Sequence, residues 1–262
     1  VIAGGVDYIV ALGSTAETAT LSLKERDEVL RFVINRTNGR VPIVAGMGSN
    51  NTADLVEQLH SFNLDSVVAI LSVVPYYNKP SQEGIYRHFM AVADASPVPV
   101  IIYNVPGRTG LNMTAATTLR LAHATPKIVA IKEACGNIEQ MQAILDGRPE
   151  DFLVLSGDDG ITVELVKRGG DGVISVAANA FPERFCGCVH NAMKGNIALA
   201  ESEMAELTPA IDLLFKEGNP TGVKAMTAAM GITRSEVRLP LVEGTENLAA
   251  DIKSAIARYE LK

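Results

Sequence analysis

Seven short apolar runs recur along the chain (8–12, 42–45, 66–71, 98–103, 128–132, 152–156 and 172–176), with helical patterns between them. Most are continuous rather than alternating, as in Val98-Pro-Val-Ile-Ile-Tyr103. Strands covered on both faces read this way, because a parallel sheet carries helices on each side. The pattern therefore predicts an α/β chain with a parallel sheet.

The intervening helices carry readable caps. Ser22-Leu-Lys-Glu25 is a capping box with Ser22 as N-cap, and Gly39 closes that helix. Thr52 opens the next, with an apolar stripe of Leu55, Val56, Leu59 and Phe62. Further helices fit 82–95, 115–124, 138–145, 161–167 and 182–194. After the last strand only helical patterns remain, at 197–216, 223–230 and 246–259.

A closed (β/α)₈ barrel needs eight strands, so seven is an awkward count. An open doubly wound sheet usually has a glycine-rich phosphate loop after its first strand. The loop here, Gly13-Ser-Thr-Ala-Glu17, lacks that fingerprint. The reading that reconciles these facts is a (β/α)₈ TIM barrel over 1–195, with a C-terminal helical domain over 196–262. Its first strand is expected to precede Val1, where the chain begins directly before a turn and a strand.

Twenty-three Lys and Arg against 30 Asp and Glu leave a net charge of −7. No basic footprint for nucleic acid exists, and the net negative charge gives no attraction to anionic membranes. No apolar stretch reaches the ~18 residues of a membrane span. Cys135, Cys186 and Cys188 are too few for a disulfide framework and suit a reducing, cytoplasmic compartment.

Metal binding is the weaker reading of two clusters. Cys186-Gly-Cys188-Val-His190 places its ligands at i, i+2 and i+4, which do not share a helix face, so the cysteines read as small buried hydrophobes. Asp159 reads as a helix N-cap, with Gly157 and Asp158 shaping a site. His60, His88, His123 and His190 lie in helical patterns without a paired nucleophile, and Met226 and Met230 read as core.

Reactive residues of such barrels sit at the C-terminal ends of strands. Those ends are polar here: Ser14-Thr15, Tyr76-Tyr77, Tyr103-Asn104, Lys132-Glu133 and Gly157-Asp158-Asp159. Lys132 ends a buried strand, where desolvation favours the neutral amine that can attack a ketone; pairing with Glu133 is the alternative. The Tyr103 phenol, linked to a hydroxyl such as that of Thr15, would shuttle the protons of imine formation; a structural role for each stays open. Ser14 and Thr15 offer hydroxyls and N–H groups suited to a carboxylate, or simply form a turn and cap.

Five motifs together resemble one family. They are Val74-Pro-Tyr-Tyr-Asn-Lys-Pro-Ser-Gln-Glu-Gly84, Tyr103-Asn-Val-Pro-Gly-Arg-Thr-Gly110, Ile131-Lys-Glu-Ala134, Ser156-Gly-Asp-Asp159 and Gly172-Val-Ile-Ser-Val176. In this order they are similar to the 4-hydroxy-tetrahydrodipicolinate synthases, and Gly218-Asn-Pro and Val223-Lys224 extend the likeness. The resemblance implies a TIM barrel, commonly a homotetramer built as a dimer of dimers, that condenses pyruvate with L-aspartate 4-semialdehyde toward diaminopimelate and lysine without a cofactor or metal.

By the same resemblance Lys132 forms the Schiff base with pyruvate and Tyr103 relays protons. Thr15 links Tyr103 to Tyr77, which a neighbouring subunit supplies. Ser14 and Thr15 hold the pyruvate carboxylate, the Ile174 backbone lies against pyruvate, and Arg108 binds the semialdehyde carboxylate. A lysine-inhibition site would draw on Thr18, Ala19, Asn50, Asp54 and Tyr76. Positions that are histidine in some members are Leu23 and Arg26 here, and a cationic Arg26 predicts weak or absent inhibition. A pyruvate-dependent lyase resembling N-acetylneuraminate lyase, which often carries Ser at position 14, and a non-catalytic keto-acid binder are the competing readings.

Overall fold

The computed structural model describes residues 1–259. Its sheet has seven parallel strands in sequence order: β1 (Ile9–Ala11), β2 (Ile43–Gly46), β3 (Ala69–Val73), β4 (Val100–Asn104), β5 (Ile128–Glu133), β6 (Leu153–Ser156) and β7 (Gly172–Val173). Crossover helices connect them: α1 (Leu23–Thr37), α2 (Thr52–Ser61), α3 (Gln82–Ala95), α4 (Pro106–Thr109), α5 (Ala115–Ala124), α6 (Ile138–Gly147) and α7 (Thr162–Lys167). Then come α8 (Pro182–Met193), α9 (Ile197–Phe215), α10 (Thr221–Ala229) and α11 (Glu246–Tyr259).

The sheet curls into a barrel, as the apolar runs predict. The Tyr8 hydroxyl, just ahead of β1, reaches the Val173 carbonyl of β7 at 3.3 Å. No ladder joins these two strands among the described residues. Between them lies a cavity of about 340 Å³ lined by Val6, Val10, Val173 and Phe185.

The two-sided cover explains why the strands read as continuous runs. Ile101, Tyr103, Ala130 and Leu155 meet inside the barrel. Their strand neighbours Ile102, Ile131 and Val154 face outward, against Leu55, Phe89, Leu121 and Met141. Fully burying one such side chain contributes roughly 1.5–3 kcal/mol. Another apolar cluster joins Phe185 and Val189 of α8 to Met204, Leu207, Val223 and Ile252, so one core straddles position 195.

Several sequence expectations needed correction. The capping box forms as expected, with Glu25 N–H donating to Ser22 Oγ and Ser22 N–H to Glu25 Oε2. Asn38, at φ 49°, ends α1 ahead of Gly39, because a short polar side chain tolerates the left-handed region. Strand β3 begins three residues later than position 66, since a turn through Leu64–Val67 comes first (Val67 N–H to Leu64 carbonyl, 2.9 Å).

Strand β7 is shorter than 172–176 for a related reason. The Asp159 carboxylate accepts from the N–H groups of Val176 and Ala177, at 3.1 and 2.9 Å, and draws that backbone out of the ladder. Asp159 is therefore not an N-cap. Helix α7 starts at Thr162, and its N-cap position, Ile161, makes no side-chain cap bond.

Candidate active site

Lys132 and Tyr103 are direct partners in the β4–β5 ladder. Strand side chains alternate, so partners share a face, and this one is the barrel interior. Lys132 is only 8% exposed, with Nζ 4.2 Å from the centre of the Tyr103 ring. Contact with the ring favours the ammonium, as does the charge of Asp159. Burial outweighs both, and together with the Arg108 guanidinium it lowers the Lys132 pKa to about 8. Burial also raises the pKa of the Tyr103 phenol, opposed by the Arg108 guanidinium and the neighbouring Ser14 hydroxyl.

Gly157 sits closely against the Lys132 side chain. A Cβ on Gly157 would lie 2.5 Å from Ala134 Cβ and 3.1 Å from Lys132 Cε, so glycine keeps that space open. The Ile174 N–H donates to Ser156 at 3.0 Å, which ties its backbone to the end of β6. The Asp158 side chain instead closes its own turn by accepting from Gly160 N–H at 2.9 Å. Its carbonyl receives the hydroxyls of Ser156 and Thr162.

The hydroxyl expectation changes. Ser14, rather than Thr15, is the hydroxyl beside Tyr103 that lowers the phenol's pKa. The Thr15 hydroxyl accepts from Asn219 Nδ2 at 2.9 Å. The loop leaves β1 through short 3₁₀ turns that give adjacent hydroxyls different partners.

Asn219, just before α10, was missed as a site residue. Its backbone carbonyl accepts from Arg108 Nη2 at 3.0 Å while its side chain holds Thr15. The signal was present in Gly218-Asn-Pro, but the sequence does not say that α10 docks over the mouth. A second tie is Lys224 of α10, which contacts Glu17 Oε1 at 2.5 Å. Glu17 Oε2 also accepts from Arg238 N–H at 2.7 Å. Burial opposes ionisation of Glu17, yet these partners keep its pKa below the ordinary carboxylate value.

Tyr77 stands apart from this cluster. It is 88% exposed and adopts a left-handed φ of 70°. Asn50 and Tyr76 are brought together, Asn50 Nδ2 donating to the Tyr76 carbonyl at 3.2 Å. Thr18 turns to the Leu12 and Gly13 carbonyls, and Asp54 accepts from Ser49. Ala19 lies in the 3₁₀ turn Thr18–Thr20.

The cysteines and histidines do other work. Cys188 Sγ approaches the Ala200 carbonyl at 3.2 Å, and His190 bonds Asp7 at 2.9 Å. Among the described residues no group of three or more His, Cys, Asp or Glu is placed to hold a metal. No helix among them is long and apolar enough to cross a membrane.

The model of the dihydrodipicolinate synthetase family matches residues 1–258. The chain belongs to this family. It is 52% identical over 238 residues to 4-hydroxy-tetrahydrodipicolinate synthase of Phocaeicola vulgatus, covering 91% of this chain and 80% of that protein. Its structure is similar to that of a chloride-inhibited dihydrodipicolinate synthase from Acinetobacter baumannii complexed with pyruvate. That match has a TM-score of 0.96 and 37% identity, covering 100% of this chain and 89% of the other. A monomeric dihydrodipicolinate synthase variant matches with a TM-score of 0.97 and 33% identity, covering 100% of this chain and 88% of that one. The barrel-like α/β fold expected from the strand runs is thus shared with these solved structures.

Proposed function

We propose that this chain is a Schiff-base lyase that condenses pyruvate with L-aspartate 4-semialdehyde to give 4-hydroxy-tetrahydrodipicolinate. One observation carries the reading: a buried amine with a depressed pKa, lying against a phenol on the neighbouring strand. A neutral amine is a nucleophile, and burial keeps a useful fraction neutral near neutral pH.

In the first step Lys132 Nζ adds to the pyruvate carbonyl carbon. The carbinolamine oxygen takes protons by way of Tyr103 and leaves as water, giving the protonated imine. That imine draws electrons from the pyruvate methyl, which loses a proton and becomes an enamine. The enamine carbon attacks the aldehyde, whose oxygen is protonated in turn. The product's own amine then displaces Lys132 by transimination, closing the ring and freeing the enzyme amine.

Tyr103 and the Ser14 hydroxyl form the proton relay within one chain. The Ser14–Thr15 turn faces the pyruvate carboxylate, beside the backbone of Ile174. Arg108, steadied by Asn219, offers a two-pronged contact for the semialdehyde carboxylate. Tyr77 extends the relay from a second copy, and the assembly is a homotetramer; the exposure of Tyr77 supports this reading. The low cysteine content supports a cytoplasmic setting.

Borohydride reduction with pyruvate tests the core of the reading. A stable adduct localised by peptide mass spectrometry to Lys132 is expected. An unmodified Lys132 in folded protein saturated with pyruvate would overturn it. Assaying product formation with L-aspartate 4-semialdehyde and with N-acetylmannosamine separates the synthase from a sialic-acid-type lyase.

A further inference from the structure

Directly behind Tyr103 and Lys132 lies a buried polar pair. Asn104 and Glu133 are the next partners in the same ladder, so their side chains fall on the opposite, helix-facing side. Both are fully buried. Asn104 Nδ2 donates to the two Glu133 oxygens at 2.9 and 3.0 Å. Its Oδ1 accepts from Met113 N–H at 3.0 Å. Gln140 Nε2 of α6 and the Cys135 N–H complete the shell of Glu133 at 3.0 and 2.9 Å.

Such a pair is an expensive way to fill this layer. The outward positions nearby are Ile102, Ile131 and Val154, and an apolar pair there would need no hydrogen bonds. Burial raises the pKa of Glu133 despite its donors, and no cation is among those donors. A buried carboxylate among neutral groups depends on hydrogen bonds to offset its lost hydration.

The ladder itself shows what the pair secures. The β4–β5 register shifts between Val100 and Ile101, where Val100 faces Ile128 but Ile101 faces Ala130. A slip of one residue reverses every side chain's face. Beyond the irregularity, Tyr103 faces Lys132 only if the new register holds to the strand ends.

We infer that the Asn104–Glu133 hydrogen bonds are a positioning clamp for the reaction, fixing the β4–β5 register so that the Tyr103 phenol and the Lys132 amine stay within proton-transfer reach. The inference rests on the proposed Lys132 imine. Neither clamp residue touches substrate; each acts through the strand neighbour before it.

Glu133→Gln tests this by turning one acceptor oxygen into an N–H₂ that meets another donor. Borohydride trapping with pyruvate counts competent sites, so turnover can be expressed per trappable lysine. A merely structural role lowers the number of sites; a positioning role lowers turnover at each. Misplacement of about 1 Å costs on the order of 100-fold, so a 10- to 100-fold fall in kcat per site is expected, with KM for pyruvate changed less. The Asn104→Asp/Glu133→Gln swap restores a donor–acceptor pair and should recover part of it. Gln140→Ala removes a Glu133 partner but leaves the cross-strand bonds, so kcat per site should stay within about twofold.

If Glu133→Gln does not fold, Asn104→Ser carries the same test. Unchanged kcat per site in whichever of the two folds, or an equal loss in Gln140→Ala, would overturn the clamp. Absence of trapping in the wild type would instead overturn the imine reading itself.

Discussion

Arg108 on α4 donates to the backbone carbonyl of Asn219, 111 positions along the chain, across 3.0 Å. Through the Asn219 side chain the same link reaches the Thr15 hydroxyl at 2.9 Å. Three segments remote in sequence thus share one side of the site, and the C-terminal helices help to set the geometry there.

Arg108→Lys should raise KM for the semialdehyde roughly 10- to 100-fold, the size of a lost charge-assisted pair. A lysine keeps the charge but loses the fork that serves a carboxylate and the Asn219 carbonyl together. Steady-state kinetics with pyruvate saturating checks this. A variant with wild-type KM would remove Arg108 from substrate binding.

The neighbouring hydroxyls should behave differently. Ser14→Ala removes the partner of the Tyr103 phenol and should lower kcat about 100-fold, the low end for a proton-transfer group. Thr15→Val keeps that partner and loses the Asn219 bond, so its loss should be smaller and shared with KM. Equal effects on kcat would say that the relay does not pass through Ser14.

Imine formation needs the uncharged amine, and burial brings the Lys132 pKa from 10.5 down to about 8. The initial rate of borohydride-trapped adduct should therefore rise with pH and level off above about 8. Lys132→Arg should give no adduct at any pH, because a guanidinium stays charged. A flat profile for the wild type between pH 6 and 9 would contradict the assignment.

Acid sensitivity should come in part from His88. Its ring is buried, with Nδ1 2.9 Å from the Thr52 hydroxyl, and Nε2 has no hydrogen-bond partner. Burial lowers its pKa from 6.5 to about 4. The unfolded chain takes up the proton first, so stability falls as pH drops below about 6.5 and levels off below about 4. Between pH 7 and 5 the loss is on the order of 2 kcal/mol. Urea midpoints at both pH values should converge in His88→Gln relative to the wild type; an undiminished shift would locate the sensitivity elsewhere.

L-Lysine at sub-millimolar concentration should leave turnover nearly unchanged. Arg26 lies near the start of α1, its Nε donating to the Leu21 carbonyl at 3.2 Å, and its guanidinium charge opposes a lysine ammonium nearby. Strong inhibition would show that a lysine site forms despite Arg26.

The sequence by itself determined the sheet and the reactive strand ends. Side chains of a parallel strand bury in both directions, so the runs ending at Tyr103 and Lys132 were visible as continuous apolar stretches. Caps such as Ser22 with Glu25 are local hydrogen-bond patterns and were legible for the same reason. The motif order carried the family.

What the tertiary structure alone decided was which groups meet across the fold. The register shift at Val100, the pairing of Ser14 rather than Thr15 with Tyr103, and the reach of Asn219 to Arg108 all depend on elements packed from distant positions. Asp159 is the clearest case: its spacing suits a cap, but two free N–H groups after β7 lie closer in space than the helix it precedes in sequence. Hydrogen bonds form between neighbours in space, and adjacency along the chain specifies those neighbours only within a turn or two.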